Sequence, residues 1–135
     1  MIKKSLILLI SFGLLLAACA PNPPRIAVGS DQIDFDDVVM GEVITQEINL
    51  ENQGGELLEI LSITTSCGCT TASVDRMSIP PGENATLVVE LDSGAHDIND
   101  IGQLFRQVFI ATNDPQQPEV VVDVTANVVS NLPEN

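Results

Sequence analysis

Ala85-Thr86-Leu87-Val88-Val89-Glu90-Leu91-Asp92 decides the fold. Ala85, Leu87, Val89 and Leu91 fall on one side of an extended chain, and Thr86, Val88, Glu90 and Asp92 on the other. A period of two belongs to a strand with one buried face, not to a helix. The same alternation recurs on both sides of this stretch. From Ile26 onward Ile33 and Phe35 alternate with Gln32, Asp34 and Asp36. Ile44, Ile48 and Leu50 oppose Thr45, Glu47, Asn49 and Glu51, and Leu58 and Ile60 alternate with Leu57, Glu59 and Leu61. Two runs follow, Leu104 to Thr112 and Glu119 to Val129. In the last, Val120, Val122, Val124 and Ala126 alternate with Asp123, Thr125 and Asn127.

Turn chemistry separates the runs at Gln53-Gly54-Gly55, Pro80-Pro81-Gly82, Ser93-Gly94 and Asn113-Asp114-Pro115. No window shows a sustained 3.6-residue apolar stripe. The expected fold is all-β, an immunoglobulin-like β-sandwich of about seven strands. Trp and Tyr are absent, so the core should be aliphatic, joined by Phe35, Phe105 and Phe109.

Three blocks carry a family resemblance. The first runs from Phe35 through Gly41-Glu42 and Ile48-Asn49-Leu50-Glu51-Asn52-Gln53-Gly54 to Leu58–Ile63. Ser66-Cys67-Gly68-Cys69-Thr70 is the second; Ile79-Pro80-Pro81-Gly82-Glu83 and Ala111-Thr112-Asn113-Asp114-Pro115 close the pattern. Over residues 33 to 128 the chain resembles the bacterial family called domain of unknown function 1573, which is similar to ASH and MSP-type domains. The resemblance implies an Ig-like sandwich in an exported protein, often a lipoprotein. It implies no activity, and fold analogy supplies none.

The N-terminus reads as an export signal. Lys3 and Lys4 give it a positive start, and Leu6 to Leu16 is an apolar run broken only by Ser11 and Gly13. As a helix, that run would span roughly half of a bilayer's hydrocarbon core. It is a signal-peptide h-region. Leu16-Ala17-Ala18-Cys19 resembles the lipobox of bacterial lipoproteins, which implies cleavage before Cys19 and acylation of that cysteine. Residues 1–18 are then a lipoprotein signal peptide, 19–25 the lipidated cysteine and a Pro-rich spacer, 26–130 the Ig-like domain and 131–135 a tail. The expected location is the cell envelope, on the outer face of the cytoplasmic membrane or on the outer membrane. Two or three acyl chains would anchor firmly, since each buried methylene adds about 0.8 kcal/mol.

Beyond residue 18 the strong cations are Arg25, Arg76 and Arg106, set against 19 acidic residues, a net charge of −16. Such a surface repels nucleic acid and anionic lipid headgroups. Nucleic acid is therefore not an expected partner, and the bilayer should be reached through acylated Cys19 alone. The periodic Val, Ile and Leu runs separate this chain from disordered acidic ones.

With Cys19 assigned to lipid, Cys67-Gly68-Cys69 is a self-contained pair in an oxidising compartment. In a regular strand, residues i and i+2 stand about 6.5 to 7 Å apart, at the edge of disulfide reach. Gly68 can bend the backbone to close that gap. Three readings stand: a structural disulfide or buried thiol pair, a soft-metal site, and a thiol–disulfide exchange site. Extracellular cysteines usually staple, which favours the first. Cu(I) would suit two thiolates, with Met77 added if its loop folds back. Zinc would need more ligands than the single histidine, His96, supplies. Exchange usually draws on a helix N-terminus or basic neighbours, and the local sequence offers neither.

His96 reads as a solvated loop residue. Asp92, Asp97, Asn99 and Asp100 offer oxygen ligands for weak calcium binding but lack the EF-hand pattern. No catalytic constellation is legible: no serine stands in a nucleophile elbow, and no glycine-rich loop precedes a helix. The expectation is a non-enzymatic, membrane-anchored interaction or scaffold domain without a cofactor and with a protein partner in the envelope. Its rival is a copper-binding or thiol-redox protein using Cys67 and Cys69.

Overall fold

The structure is a computed structural model that describes residues 21–95 and 101–130. Nine strands run through them: β1 (Ile26–Val28), β2 (Gln32–Val39), β3 (Val43–Asn52), β4 (Leu58–Thr65), β5 (Thr70–Val74), β6 (Ser78–Ile79), β7 (Asn84–Asp92), β8 (Gly102–Thr112) and β9 (Glu119–Val129). One sheet has the order β1-β3-β7-β5 and the other β2-β9-β8-β4-β6. All pairings are antiparallel except β2 with β9. The Ig-like, all-β architecture is as the alternation predicts. Strands β1, β5 and β6 lie outside the alternating runs quoted above and bring the count to nine, above the expected seven.

The alternating residues do what their period requires. Ala85, Leu87, Val89 and Leu91 of β7 are all buried. The first three pack in one cluster with Val108 and Ile110 of β8 and Val122 and Val124 of β9, and Leu91 packs in a second with Leu104 of β8 and Ala126 and Val128 of β9. The core divides into two clusters. The larger holds Ile33, Leu50, Leu58, Ile79, Val89, Val108 and Val124 among others, and the smaller holds Val38, Cys69, Leu91, Leu104, Ala126 and Val128. Phe35 packs against both. The expectation for the other two aromatics needs correcting. Phe105 is 53% exposed, and Phe109 shares its outward register on β8, opposite Val121. In β8 the buried positions are Leu104, Val108, Ile110 and Thr112, so odd-numbered residues there face out.

The turn motifs turn out to be clamps. Asn52, fully buried, donates from Nδ2 to the carbonyls of Glu56 (2.7 Å) and Ile79 (2.9 Å). Its Oδ1 accepts from the amides of Gly54 (2.9 Å) and Arg25 (3.3 Å), so all four hydrogen-bonding positions of the amide are used. Buried Asp114 accepts from the amide of Ile26 at 2.9 Å and from those of Gln116 and Gln117. Asn113 bridges to β4, accepting from Glu59 N and donating to Leu57 O.

The Pro-rich stretch is shorter as a free spacer than its composition suggests. Gly55 N donates to Asn22 O, and Gln53 N to Arg25 O. This close approach needs glycine: a Cβ on Gly54 would overlap the Pro23 carbonyl and stand 2.6 Å from Arg25 N. Cys19, the residues 1–18 expected to form a signal peptide, and residues 131–135 lie outside the described residues. Among the described residues no helix is long and apolar enough to cross a membrane.

Candidate functional site

After β4 ends at Thr65, the chain crosses from one sheet to the other over Ser66–Cys69 and continues as β5. Both ends of the crossing are pinned. Ser66 N donates to Gln107 O, and Gln107 N to Ser66 Oγ, each at 2.9 Å. Asp92 N donates to Cys69 O at 2.9 Å, continuing the β5–β7 ladder by one residue. Thr65 Oγ1 donates to Cys67 O, which turns the chain at once.

Within this crossing the structure joins Cys67 and Cys69 in a disulfide, their Cα atoms 5.4 Å apart. That separation is shorter than the extended-strand figure because the segment is a turn and not a strand. Gly68 does not close the gap through left-handed backbone: its φ is not positive, and a Cβ there would meet nothing within 4 Å. The glycine leaves the crest of the turn bare. Cys69 is 4% exposed, whereas Cys67 is half-buried, packed against the smaller core cluster. Thr70 Oγ1, buried beneath the bond, lies 3.6 Å from Cys67 Sγ and 3.7 Å from Cys69 Sγ.

The neighbour that local sequence does not offer comes from the facing sheet. Arg106 Nε donates to Cys69 Sγ at 3.3 Å, and its Nη1 to the Phe105 carbonyl at 2.7 Å. Arg106 stands in the inward row of β8, between Leu104 and Val108, where the two apolar clusters meet. The pair therefore has a basic neighbour, contrary to the expectation from its flanking residues. Among the described residues the one ion pair is Arg76–Glu83, so no carboxylate there neutralises Arg106. The signal was present in the sequence as a cation inside the apolar run Leu104 to Ile110; its target, 37 residues away, was not.

The other candidates are not brought together. Met77 is exposed beside β6, its carbonyl accepting from Ile60 N. Five residues of β4 separate Ile60 from Thr65, roughly 16 Å, so Met77 stands far from both cysteines. No group of three or more His, Cys, Asp or Glu residues suited to a metal occurs among the described residues. Asp92 Oδ1 caps its own turn through Gly94 N. His96, Asp97, Asn99 and Asp100 lie outside the described residues.

No curated protein matches this chain. Among solved structures, a protein of unknown function from Porphyromonas gingivalis is 26% identical with a TM-score of 0.73; the match covers 84% of this chain and 51% of that one. This chain thus spans about half the length of that relative. The ASH/PapD-like domain 7 of human CEP192 is 10% identical, with a TM-score of 0.59, and is matched over 88% of this chain and 95% of its own. The periplasmic chaperone SfaE is 11% identical at a TM-score of 0.53, over 81% and 60% of the two chains. The last two similarities concern the fold. Residues 26–128 match the family described as protein of unknown function DUF1573, most of the chain and both of its sheets, and the chain belongs to that family.

Proposed function

We propose that this chain is a lipid-anchored module of the cell envelope that holds a protein partner by strand addition along β5. The observation that carries this reading is the contrast among sheet edges. β1 has three residues and β6 two. β2 is broken at Asp36, whose φ is +55°, and is lined by Asp34, Asp36 and Asp37. Short length, bends and charge are the usual ways of blunting an edge. β5, Thr70-Thr71-Ala72-Ser73-Val74, has none of them.

The ladder fixes which groups are free. Asp92 N donates to Cys69 O and Asp75 N to Thr86 O, so odd-numbered residues of β5 bond to β7. Thr70, Ala72 and Val74 turn their N–H and C=O groups away from β7; Thr70 is buried, so the groups open to a partner are those of Ala72 and Val74, which among the described residues bond to nothing else. An extended segment of another protein would find the open ladder groups of Ala72 and Val74 there.

Acylation of Cys19 would place the other end of the sandwich near the membrane. Three chain steps, through Ala20 and Pro21, separate Cys19 from Asn22, a reach of about 10 Å, and Asn22 is already hydrogen-bonded to the domain. From that end β7 runs nine residues to Asp92 beside Cys69, about 27 Å, so the disulfide would face away from the bilayer.

Photo-crosslinking in the native envelope tests both halves. Crosslinkers at Thr71 and Ser73, whose side chains are exposed, should label one partner segment in wild type. Ala72→Pro removes an outward donor without touching the β7 ladder and should abolish the labelling while the unfolding curve stays within about 1 kcal/mol, because proline is tolerated where its N–H would face solvent. Labelling unchanged by Ala72→Pro overturns strand addition. Cys19→Ala should move the protein from the membrane fraction to the soluble one; a variant that stays on the membrane overturns the anchor.

A further inference from the structure

We infer that Cys67–Cys69 is a thiol–disulfide exchange site, oxidising a dithiol presented from solution, with Arg106 holding the negative charge that develops on Cys69. This goes beyond partner binding, and it stands on the geometry around two sulfurs.

The two sulfurs are unequal in ways that assign their roles. Exchange proceeds by attack of a thiolate on one sulfur while the other leaves. Cys67 is the more exposed residue of the two, beside a turn crest that Gly68 leaves without a side chain. Cys69 Sγ is buried, with a guanidinium nitrogen 3.3 Å away. A partner thiolate attacks Cys67 Sγ and forms a mixed disulfide. The Cys67–Cys69 bond breaks, and its electron pair goes to Cys69 Sγ as a thiolate beside Arg106. The partner's second thiolate then attacks the partner sulfur of the mixed disulfide and releases Cys67. Two electrons pass from the dithiol to the pair, while the dithiol's two protons go to solvent as its thiols ionise. Cys67 takes one proton back from solvent and Cys69 stays a thiolate, leaving the partner with a disulfide and this chain with two reduced cysteines.

Arg106 gives this asymmetry a thermodynamic consequence. Against the intact disulfide, its Nε faces a weak, neutral acceptor. Against a Cys69 thiolate it would make a charge-assisted hydrogen bond in a half-buried setting, where such pairs are strong. The guanidinium therefore favours the reduced form, and stabilising the reduced form makes a disulfide the stronger oxidant. Its position is otherwise costly: it stands in an apolar row with no carboxylate neutralising it among the described residues.

Residues 20–135 contain both sheets and both core clusters, so the exchange is measured on that piece without lipid or partner. The probe is dithiothreitol for rate and a glutathione redox buffer for equilibrium. Wild type should be reduced in the folded state. Arg106→Gln should shift the glutathione equilibrium about tenfold toward the disulfide, which is about 30 mV for a two-electron couple. Arg106→Lys should recover part of the shift. A purely structural role for Arg106 would change the unfolding midpoint of both redox forms alike and leave the equilibrium unmoved. In single-cysteine variants, glutathione disulfide should modify Cys67 in Cys69→Ser much faster than Cys69 in Cys67→Ser. The inference is overturned if the pair reduces only in denaturant, if Arg106→Gln leaves the equilibrium unchanged, or if Cys69 is the faster site. None of these results bears on the Ala72→Pro experiment, so the two proposals fail separately.

Discussion

Asn52→Ala should be among the most damaging single substitutions in this chain, costing about 3–5 kcal/mol of unfolding free energy. The side chain is 0% exposed and makes four hydrogen bonds, to Arg25, Gly54, Glu56 and Ile79. Its truncation leaves two carbonyls and two amides without partners, and each such buried group costs about 1–3 kcal/mol less whatever water can restore. Relaxation at the partly exposed Gly54 and Glu56 side trims the sum; the Ile79 carbonyl, inside the core, has no such relief. Against a typical total of about 5–15 kcal/mol the loss is a large share. Asn52→Asp should be no better, because both donors vanish and a charge faces two carbonyl oxygens. Asn49→Ala, exposed on the same strand, is the control and should stay within about 0.5 kcal/mol. Urea unfolding of the three variants decides the matter; a loss below about 1 kcal/mol for Asn52→Ala would remove the clamp from the account.

Asn52 also marks the limit of what residue order reveals. The alternation in Ala85 to Asp92, or in Val120 to Asn127, reports a strand because each residue's burial depends on its own position in a two-residue period. β5 escapes this reading. Thr70-Thr71-Ala72-Ser73-Val74 has small or intermediate side chains on both faces, so its edge position follows from pairing with β7 and not from contrast within the run. Asn52 and Asp114 look like turn residues in Asn52-Gln53-Gly54 and Asn113-Asp114-Pro115, and they are. Their larger role depends on partners 27 and 88 residues away, which no local pattern encodes. The cysteine pair is legible for the same reason that its chemistry is not: Cys67 and Cys69 are adjacent in sequence, whereas Arg106 arrives from the opposing sheet. The motifs carrying the family resemblance divide accordingly. Asn52, Gly54, Asn113 and Asp114 are accounted for by hydrogen bonds and close backbone contact. Gly68, with open space around it and ordinary backbone, has no such folding role.

Asp114→Ala should cost about 3–4 kcal/mol, and its first effect should be local. The carboxylate is 1% exposed and receives three backbone amides, from Ile26, Gln116 and Gln117. Hydrogen bonds to a charged acceptor contribute about 1.5–3 kcal/mol each, offset in part by the cost of holding the charge out of water. Only one of the three is long-range: Ile26 N, 88 residues away, ties β1 of one sheet to the β8–β9 turn of the other. Ile26 opens β1, a strand of three residues paired to β3 alone. Removing the carboxylate should therefore unlatch β1 before the sandwich opens. In native-state hydrogen exchange the Ile26 amide should lose protection beyond the global change, while Val122 and Val124 in β9 lose only the global amount. Asp114→Asn should keep the contacts to Gln116 and Gln117 through its remaining oxygen but set an NH2 group against the Ile26 amide, costing about 2 kcal/mol with the same local signature. The effect should also couple to Asn52, whose Oδ1 holds the amide of Arg25, the residue before Ile26. Once either clamp is lost, the other has less ordered chain to hold. The double variant Asn52→Ala with Asp114→Ala should then fall short of the two single losses combined by about 1 kcal/mol or more, as contacts sharing one segment do. Strict additivity, or an Ile26 amide exchanging no faster than those of β9, would mean that β1 is held by its pairing with β3 and not by the two clamps at its start.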